Sequence, residues 1–324
     1  MAPSSAAEQV DKYLTDMHAI ELQALEQMRL APRVLEEQSL AQLFAQHAAE
    51  TETHERLVGD QLSARGVRPS RAKDAAGRVG GWGMILFARL NPDSTGKLVA
   101  HAYSYEHMEF AAYELLGRFA ERSGAADVAQ MARTISAGEQ QMAERLHAHW
   151  ERAAEASLAE NDDSDLAGAV SSYLRDARSL EAQSLQLLSG AASVVEVSEL
   201  VEVLHAHESE TREHAWALDE RLAELGSGPA RAQDGLLRFG GLALPAFFGA
   251  QADTAMKIAG FAFAFEALER AGYGLLTLVA KRAGDESTAR LAQRIAVEEL
   301  QAGERLAGTW DAVVDAYLSK VLER

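Results

Sequence analysis

"HAAETETH" occupies residues 47–54, and "HESETREH" occupies residues 207–214. His, Glu, Thr and His stand at matching places in the two stretches. The displacement is 160 residues. Without a gap, the same shift aligns Tyr13 with Tyr173, Glu21 with Glu181, and Glu106 with Glu266. It also aligns Tyr113 with Tyr273, Glu139 with Glu299, and Trp150 with Trp310. The chain is therefore a duplication of one unit, not a solenoid of short repeats. The polar run "AENDDSD" (159–165) is the expected junction. It places one domain at 1–158 and the other at 164–324.

The composition agrees. A length of 324 residues suggests two domains at roughly 150 residues each. Hydrophobic residues make up 48%, enough for sizeable cores, and there are only 6 prolines. Ala, Leu, Glu, Gln and Arg dominate, which favours helix almost throughout. There is no cysteine, so any metal must be held by carboxylate and imidazole. A formal charge of −18 disfavours nucleic acid as a partner, because phosphates are repelled. The N-terminus "MAPSSAAEQV" has no signal-peptide pattern. The longest apolar stretch, "GGLALPAFFGA" (240–250), is too short for a membrane span. The expectation is a soluble, cytoplasmic protein.

Each unit reads as four helices. In the first, helix 1 is expected from about Ala6 to Leu30. Helix 2 follows Pro32, a favourable first-turn residue, and runs to about Arg65. A crossover rich in Gly, Arg and Pro covers roughly 66–93. Its "GGWGMILFARL" and the counterpart "FGGLALPAFFGA" are apolar for surface connections and are expected to pack over the bundle ends or form an interface. Asp93 or Ser94 caps helix 3, which stops near Ser123-Gly124, with Ala283-Gly284 as the matching stop. Helix 4 runs from about Ala125 to Ser157. Two short connections and one long one are what a ferritin-like bundle needs, whereas an up-down-up-down bundle needs only short loops. The fold class is thus all-α: two tandem ferritin-like four-helix bundles, each with a long crossover between helices 2 and 3.

The faces of these helices carry acids where apolar residues belong. His47, Glu50 and His54 lie at i, i+3 and i+7 and share a face with Leu40, Leu43 and Leu57. The second unit repeats them as His207, Glu210 and His214. Glu21 sits on the stripe of Tyr13, Leu14, Met17 and Leu25, and Glu181 matches it. Helix 3 adds Glu106, Glu109 and Tyr113, repeated as Glu266, Glu269 and Tyr273. Helix 4 adds Glu139 and Glu299, whose preceding residues differ, Gly138 against Glu298. Buried carboxylates and imidazoles are costly unless paired or bound to a cation. The inventory is that of a di-iron or di-manganese carboxylate bundle. No organic cofactor is expected. Seven residues of helix span about 10 Å, too far for His47 and His54 to serve one ion, so one is expected as ligand and the other as a core or supporting residue. Tyr113 and Tyr273 read as core residues that hydrogen-bond a carboxylate.

The motifs "YLTDMHAIELQAL", "HAAETETHERL", "EHMEFAAYELLGRFAERSG" and the helix-4 glutamate resemble the YciE/YciF-type ferritin-like family of bacterial stress-associated proteins. The resemblance covers nearly all of each unit. It implies a bimetal centre and no settled reaction. Its implied ligands fall on Glu21, Glu50, Glu106, Glu109 and Glu139 with His47 and His54 nearby. In the second unit they fall on Glu181, Glu210, Glu266, Glu269 and Glu299 with His207 and His214. Ferritin-like oxidases usually carry Glu-x-x-His on helices 2 and 4. Here Thr53 follows Glu50 at i+3, and Met142 and Ala302 follow Glu139 and Glu299. The nitrogen-poor set speaks for metal binding more than for redox chemistry with oxygen.

The leading expectation is a metal-binding protein of ferritin-like type, with iron preferred and manganese the alternative, and a role in stress protection. Any reaction would be of di-metal oxidase or ferroxidase type. Two other readings compete. One is a metal-free helical scaffold whose interior glutamates pair with arginines such as Arg56 and Arg212. The other is an oxidase acting on an organic substrate. The expected partners are metal ions. The assembly is expected to be a monomer forming an intramolecular pseudo-dimer, or a homodimer.

Overall fold

The computed structural model describes residues 5–70, 74, 94–160, 165–227 and 253–323. Among these residues all regular structure is helical. The helices of the first repeat are α1 Ala6–Leu30, α2 Gln38–Ala64, α3 Ser94–Arg122, α4 Ala126–Ala148 and α5 Trp150–Glu160. Those of the second are α6 Leu166–Ala192, α7 Ser198–Glu224, α8 Thr254–Arg282, α9 Glu286–Gly308 and α10 Trp310–Leu322. No helix among the described residues is long and apolar enough to cross a membrane.

Local chemistry explains most boundaries. Ser5 and Glu8 form a reciprocal capping box at the start of α1. Pro32 does not open helix 2 as expected. It sits in a single tight turn, Ala31–Arg33, and α2 begins at Gln38, where the Glu37 carboxylate accepts from Leu40 N at 2.6 Å. Asp165 caps α6 by accepting from Gly168 N at 2.7 Å. Gly124 and Gly284, at φ +78° and +72°, take the left-handed turn that ends α3 and α8 where the sequence places the stops. The expected Asp93 cap and both apolar crossover stretches lie outside the described residues.

The expected fourth helix is two helices. It breaks at His149, whose ring nitrogen Nδ1 lies 2.7 Å from Arg145 O, while its backbone N–H turns to Leu146 O at 3.0 Å. The side chain has taken the carbonyl that an uninterrupted helix would reserve for the backbone. Thr309 breaks the second repeat in a related way, its hydroxyl donating to Leu306 O at 2.7 Å.

Two compact units result, Met1–Ala156 with Val314–Arg324, and Ser157–Val313. In the first, α1 packs on α2 and α3, while α4 packs on α3 and α2. Consecutive helices α2 and α3 therefore face each other across the bundle rather than side by side. That is the arrangement for which the long crossover is needed. The C-terminal residues of this unit add Tyr317, which donates to Gln9 Oε1 at 2.6 Å and packs against the rings of Tyr13 and Phe119. In the second unit α6 packs on α7 and α8, and α9 on α8 and α7.

Candidate metal centre

The apolar stripes of the helices close on each other, and the acids on those stripes are carried into the core. In the first unit Glu21, Glu106, Glu109 and Glu139 are each at most 1% exposed, and His47 is fully buried. Glu181, Glu266, Glu269, Glu299 and His207 occupy the same positions in the second, each at most 2% exposed. Among the described residues, no arginine or lysine side chain forms an ion pair with any of these eight carboxylates.

The side chains gather into groups whose potential ligand atoms lie within 4.8 Å of one another. His47, Glu106 and Glu139 form one group, and Glu21, His54 and Glu139 another. Glu139 belongs to both. Its Oε1 lies 2.7 Å from His54 Nδ1 and its Oε2 3.5 Å from His47 Nε2. Glu106 Oε2 approaches the same His47 nitrogen at 3.1 Å. Both oxygens of Glu109 are buried without a hydrogen-bond partner. The second unit has the groups His207, Glu266, Glu269, Glu299 and Glu181, His214, Glu299, with Glu299 shared. The spacing on one helix leaves one histidine of each pair as ligand and the other as a core or supporting residue. Glu139 lies between His47 and His54, so each histidine faces its own group.

Glu50 and Glu210 fall outside these groups. Glu50 faces His47 Nδ1 at 2.8 Å and is gripped by Arg145, whose Nη1 donates to Oε1 at 3.0 Å. Glu210 faces His207 Nδ1 at 3.2 Å and pairs with Arg305. Each carboxylate holds the outer nitrogen of an imidazole whose inner nitrogen faces the acids, an arrangement that fixes ring orientation and tautomer at metal sites. A glutamate–arginine pair does therefore exist in each unit. It uses Arg145 and Arg305, not the expected partners: Arg56 donates to Glu52 O and Thr53, and Arg212 to Glu208. Both Arg145 and Arg305 were visible as a matched pair under the 160-residue shift.

The tyrosines behave as the sequence suggests. Tyr113 and Tyr273 are buried, and their hydroxyls donate to Glu21 and Glu181. A tyrosine that the sequence reading passed over, Tyr105, donates to Ile20 O at 3.2 Å, and its counterpart is Phe265.

Electrostatics follow from burial. Desolvation, then the charge of Glu139, holds Glu21 well above the ordinary carboxylate range. Desolvation also raises Glu109 well above it, with Glu139, Glu21 and Glu106 adding to the effect, and brings Glu106 up to about 7. Burial opposes a charge on His47, but Glu106, Glu50 and Glu139 more than offset it and push the imidazole up to about 10. In the second unit Glu299 rises to about 7, His207 to about 11 and His214 to about 10 for the same reasons. Glu50, hydrogen-bonded by His47 and Arg145, drops to about 2. Acids crowded in a dry core resist ionisation until positive charge arrives.

A family model described as "Domain of unknown function (DUF892)" matches residues 6–159 and again 170–319. No curated protein and no solved structure matches the chain. The tandem match agrees with the duplication read from the sequence, though no named relative ties the chain to the YciE/YciF-type proteins. Since the two matches together span most of its length, the chain belongs to the DUF892 family and carries that domain twice.

Proposed function

We propose that each unit binds a pair of divalent metal ions, iron or manganese, in its carboxylate–histidine core. One observation carries this reading: buried carboxylates that no arginine or lysine among the described residues neutralises surround a glutamate shared by two ligand groups, in both units. Four carboxylates per unit carry the charge that two divalent cations neutralise. Carboxylate oxygens with one imidazole per ion suit iron or manganese. His47 and Glu106 would hold one ion, Glu21 and His54 the other, with Glu139 between them and Glu109 adjacent. Glu181, His207, His214, Glu266, Glu269 and Glu299 would do the same in the second unit. When bound, such a pair supplies electron transfer towards oxygen or peroxide. That chemistry fits the stress-protective role implied by the ferritin-like resemblance. The protein residues set the stage for it. Tyr113 holds Glu21, Glu50 and Arg145 hold His47, and the apolar bundle excludes water.

Elemental analysis of chain purified without chelator, with anomalous scattering at the iron edge, tests the reading. Two ions per unit are expected. A protein that neither carries metal nor takes up Fe(II) or Mn(II) when offered would instead be a scaffold, its core neutralised by protons and imidazolium.

A further inference from the structure

The two centres differ behind one histidine, at two positions. Among the described residues, three of the four inner histidines have an outer carboxylate: Glu50 on His47, Glu210 on His207, and Glu298 on His214. His214 presents Nδ1 to Glu299 Oε1 at 2.9 Å, and its Nε2 meets Glu298 Oε2 at 2.8 Å. Arg294 in turn donates to Glu298 at 3.0 Å, as Arg145 does to Glu50. His54 presents Nδ1 to Glu139 in the same way. Behind it, however, stand Gly138 in place of Glu298 and Thr134 in place of Arg294. Both members of the outer pair are missing. The Thr134 hydroxyl is turned to Gln130 O at 3.0 Å. Gly138 is not neutral filler: a Cβ there would lie 3.0 Å from His54 Cε1, so the imidazole occupies space that a side chain would contest. The His54 side chain is 10% exposed, against 3% for His214.

A ligand imidazole held from behind keeps its orientation and tautomer and is a stronger donor, and loss of such a partner costs about 10–100-fold in metal affinity. We propose that the two centres hold their metal unequally: the second is a retaining site locked by Glu298 acting on His214, and the first is an exchangeable site opened at His54 by Gly138. This rests on the metal-centre reading above. Glu298 is a positioning residue, since it faces the imidazole from outside and is itself about a third exposed. The duplication would thereby join one permanently loaded bundle to one that loads and releases ions, a division that a symmetric pair of single domains lacks.

The test uses the full chain loaded with Mn(II) and challenged with a graded chelator, bound metal being counted by elemental analysis. Two classes of metal are expected, separated by about 10–100-fold in chelator resistance. Glu106→Gln with Glu109→Gln should remove the labile class, and Glu266→Gln with Glu269→Gln the retained one. Glu298→Gly, which copies the first unit, should make the retained class labile. Glu298→Gln, which keeps the shape without the charge, should fall between. Thermal unfolding of the metal-free variants checks that they are folded, and should Glu298→Gly fail to fold, Glu298→Gln decides. Equal classes, a retained class that belongs to the first unit, or Glu298 variants that leave retention unchanged overturn the proposal while the metal centres stand. A parent chain that binds no Mn(II) at all overturns both.

Discussion

Arg145 and Glu50, 95 residues apart in the chain, meet through both terminal nitrogens of the guanidinium and both oxygens of the carboxylate. This paired grip belongs to the strong geometric class, yet it lies at the edge of the bundle where both side chains are a third or more exposed. Its consequence is aimed inward, at His47. Arg145→Ala should therefore change stability by less than about 1 kcal/mol, as for other exposed pairs. It should weaken metal retention in the first unit by about 10–100-fold, because the outer nitrogen of His47 loses a fixed partner. Chelator titration read beside thermal unfolding separates the two effects, and a large stability loss with unchanged retention would contradict the positioning role.

Glu106→Gln combined with Glu109→Gln is expected to empty the first unit of metal and leave the second loaded. The metal-free melting temperature should stay level or rise, because crowding among buried acids is relieved and Glu109, whose oxygens have no hydrogen-bond partner, becomes neutral, which outweighs the loss of the Glu106 oxygen facing His47 Nε2 at 3.1 Å. If the main role of these glutamates is instead to neutralise the His47 imidazolium, the same change strands that buried cation and lowers that temperature. Calorimetry after dialysis against chelator reads the sign directly.

The metal-free protein should be most stable in mildly acidic solution. Glu106 and Glu299 rise from 4.5 to about 7 on folding, so the stability they contribute is present below 4.5 and lost as pH climbs to 7. His47 and His214 rise from 6.5 to about 10, so their contribution is complete below 6.5 and lost as pH climbs through 10. Glu50, lowered to about 2, works in the other direction and loses its contribution as pH falls from 4.5 towards 2. The acid-side gain ends and the alkaline-side loss begins near 4.5, so a maximum near pH 4.5 follows. Metal binding displaces the protons, so it should strengthen as pH rises through 7 and flatten the alkaline decline. Melting temperatures across pH 3–10, with and without Mn(II), would show either this crossover or its absence.

Asp285 offers a check on the frame independent of metal. It caps α9, accepting from Thr288 N at 3.0 Å, and is bound by Arg221 at 2.8 Å. Asp285→Ala should cost about 1 kcal/mol, the usual worth of a lost N-cap. That corresponds to roughly 2–4 °C for a unit of this size. A shift near zero in thermal denaturation would mean that Arg221 and Thr288 reorganise to cap the helix without it.

Much of the molecule follows from local and periodic information. Helix extents are written in apolar spacing and in Gly124 and Gly284 as stops, because these act within a turn or two of chain, whereas the Ser5 and Asp165 caps emerged only in the structure. The repeat is written in the gapless match of His47 with His207 and of Glu139 with Glu299. Glu21, Glu106, Glu109 and Glu139 could be assigned to the core because a residue on an apolar stripe goes where the stripe goes. The interruption at His149 was not legible, since it depends on a ring nitrogen winning the Arg145 carbonyl from the backbone. Nor was the fate of Glu50. His47 and His54, seven residues apart, lie almost in line along α2, whereas Glu50 is turned roughly 60° to the side. That angle puts Glu50 at the rim of the buried stripe, where neighbouring helices decide between core and solvent. Only the approach of α4 brings Arg145 to meet it. The same approach sets Glu139 between two imidazoles too far apart to share an ion, making two groups out of what the spacing on one helix left as alternatives. Periodicity along a chain tells which way a side chain points; the helix packed opposite determines what it meets.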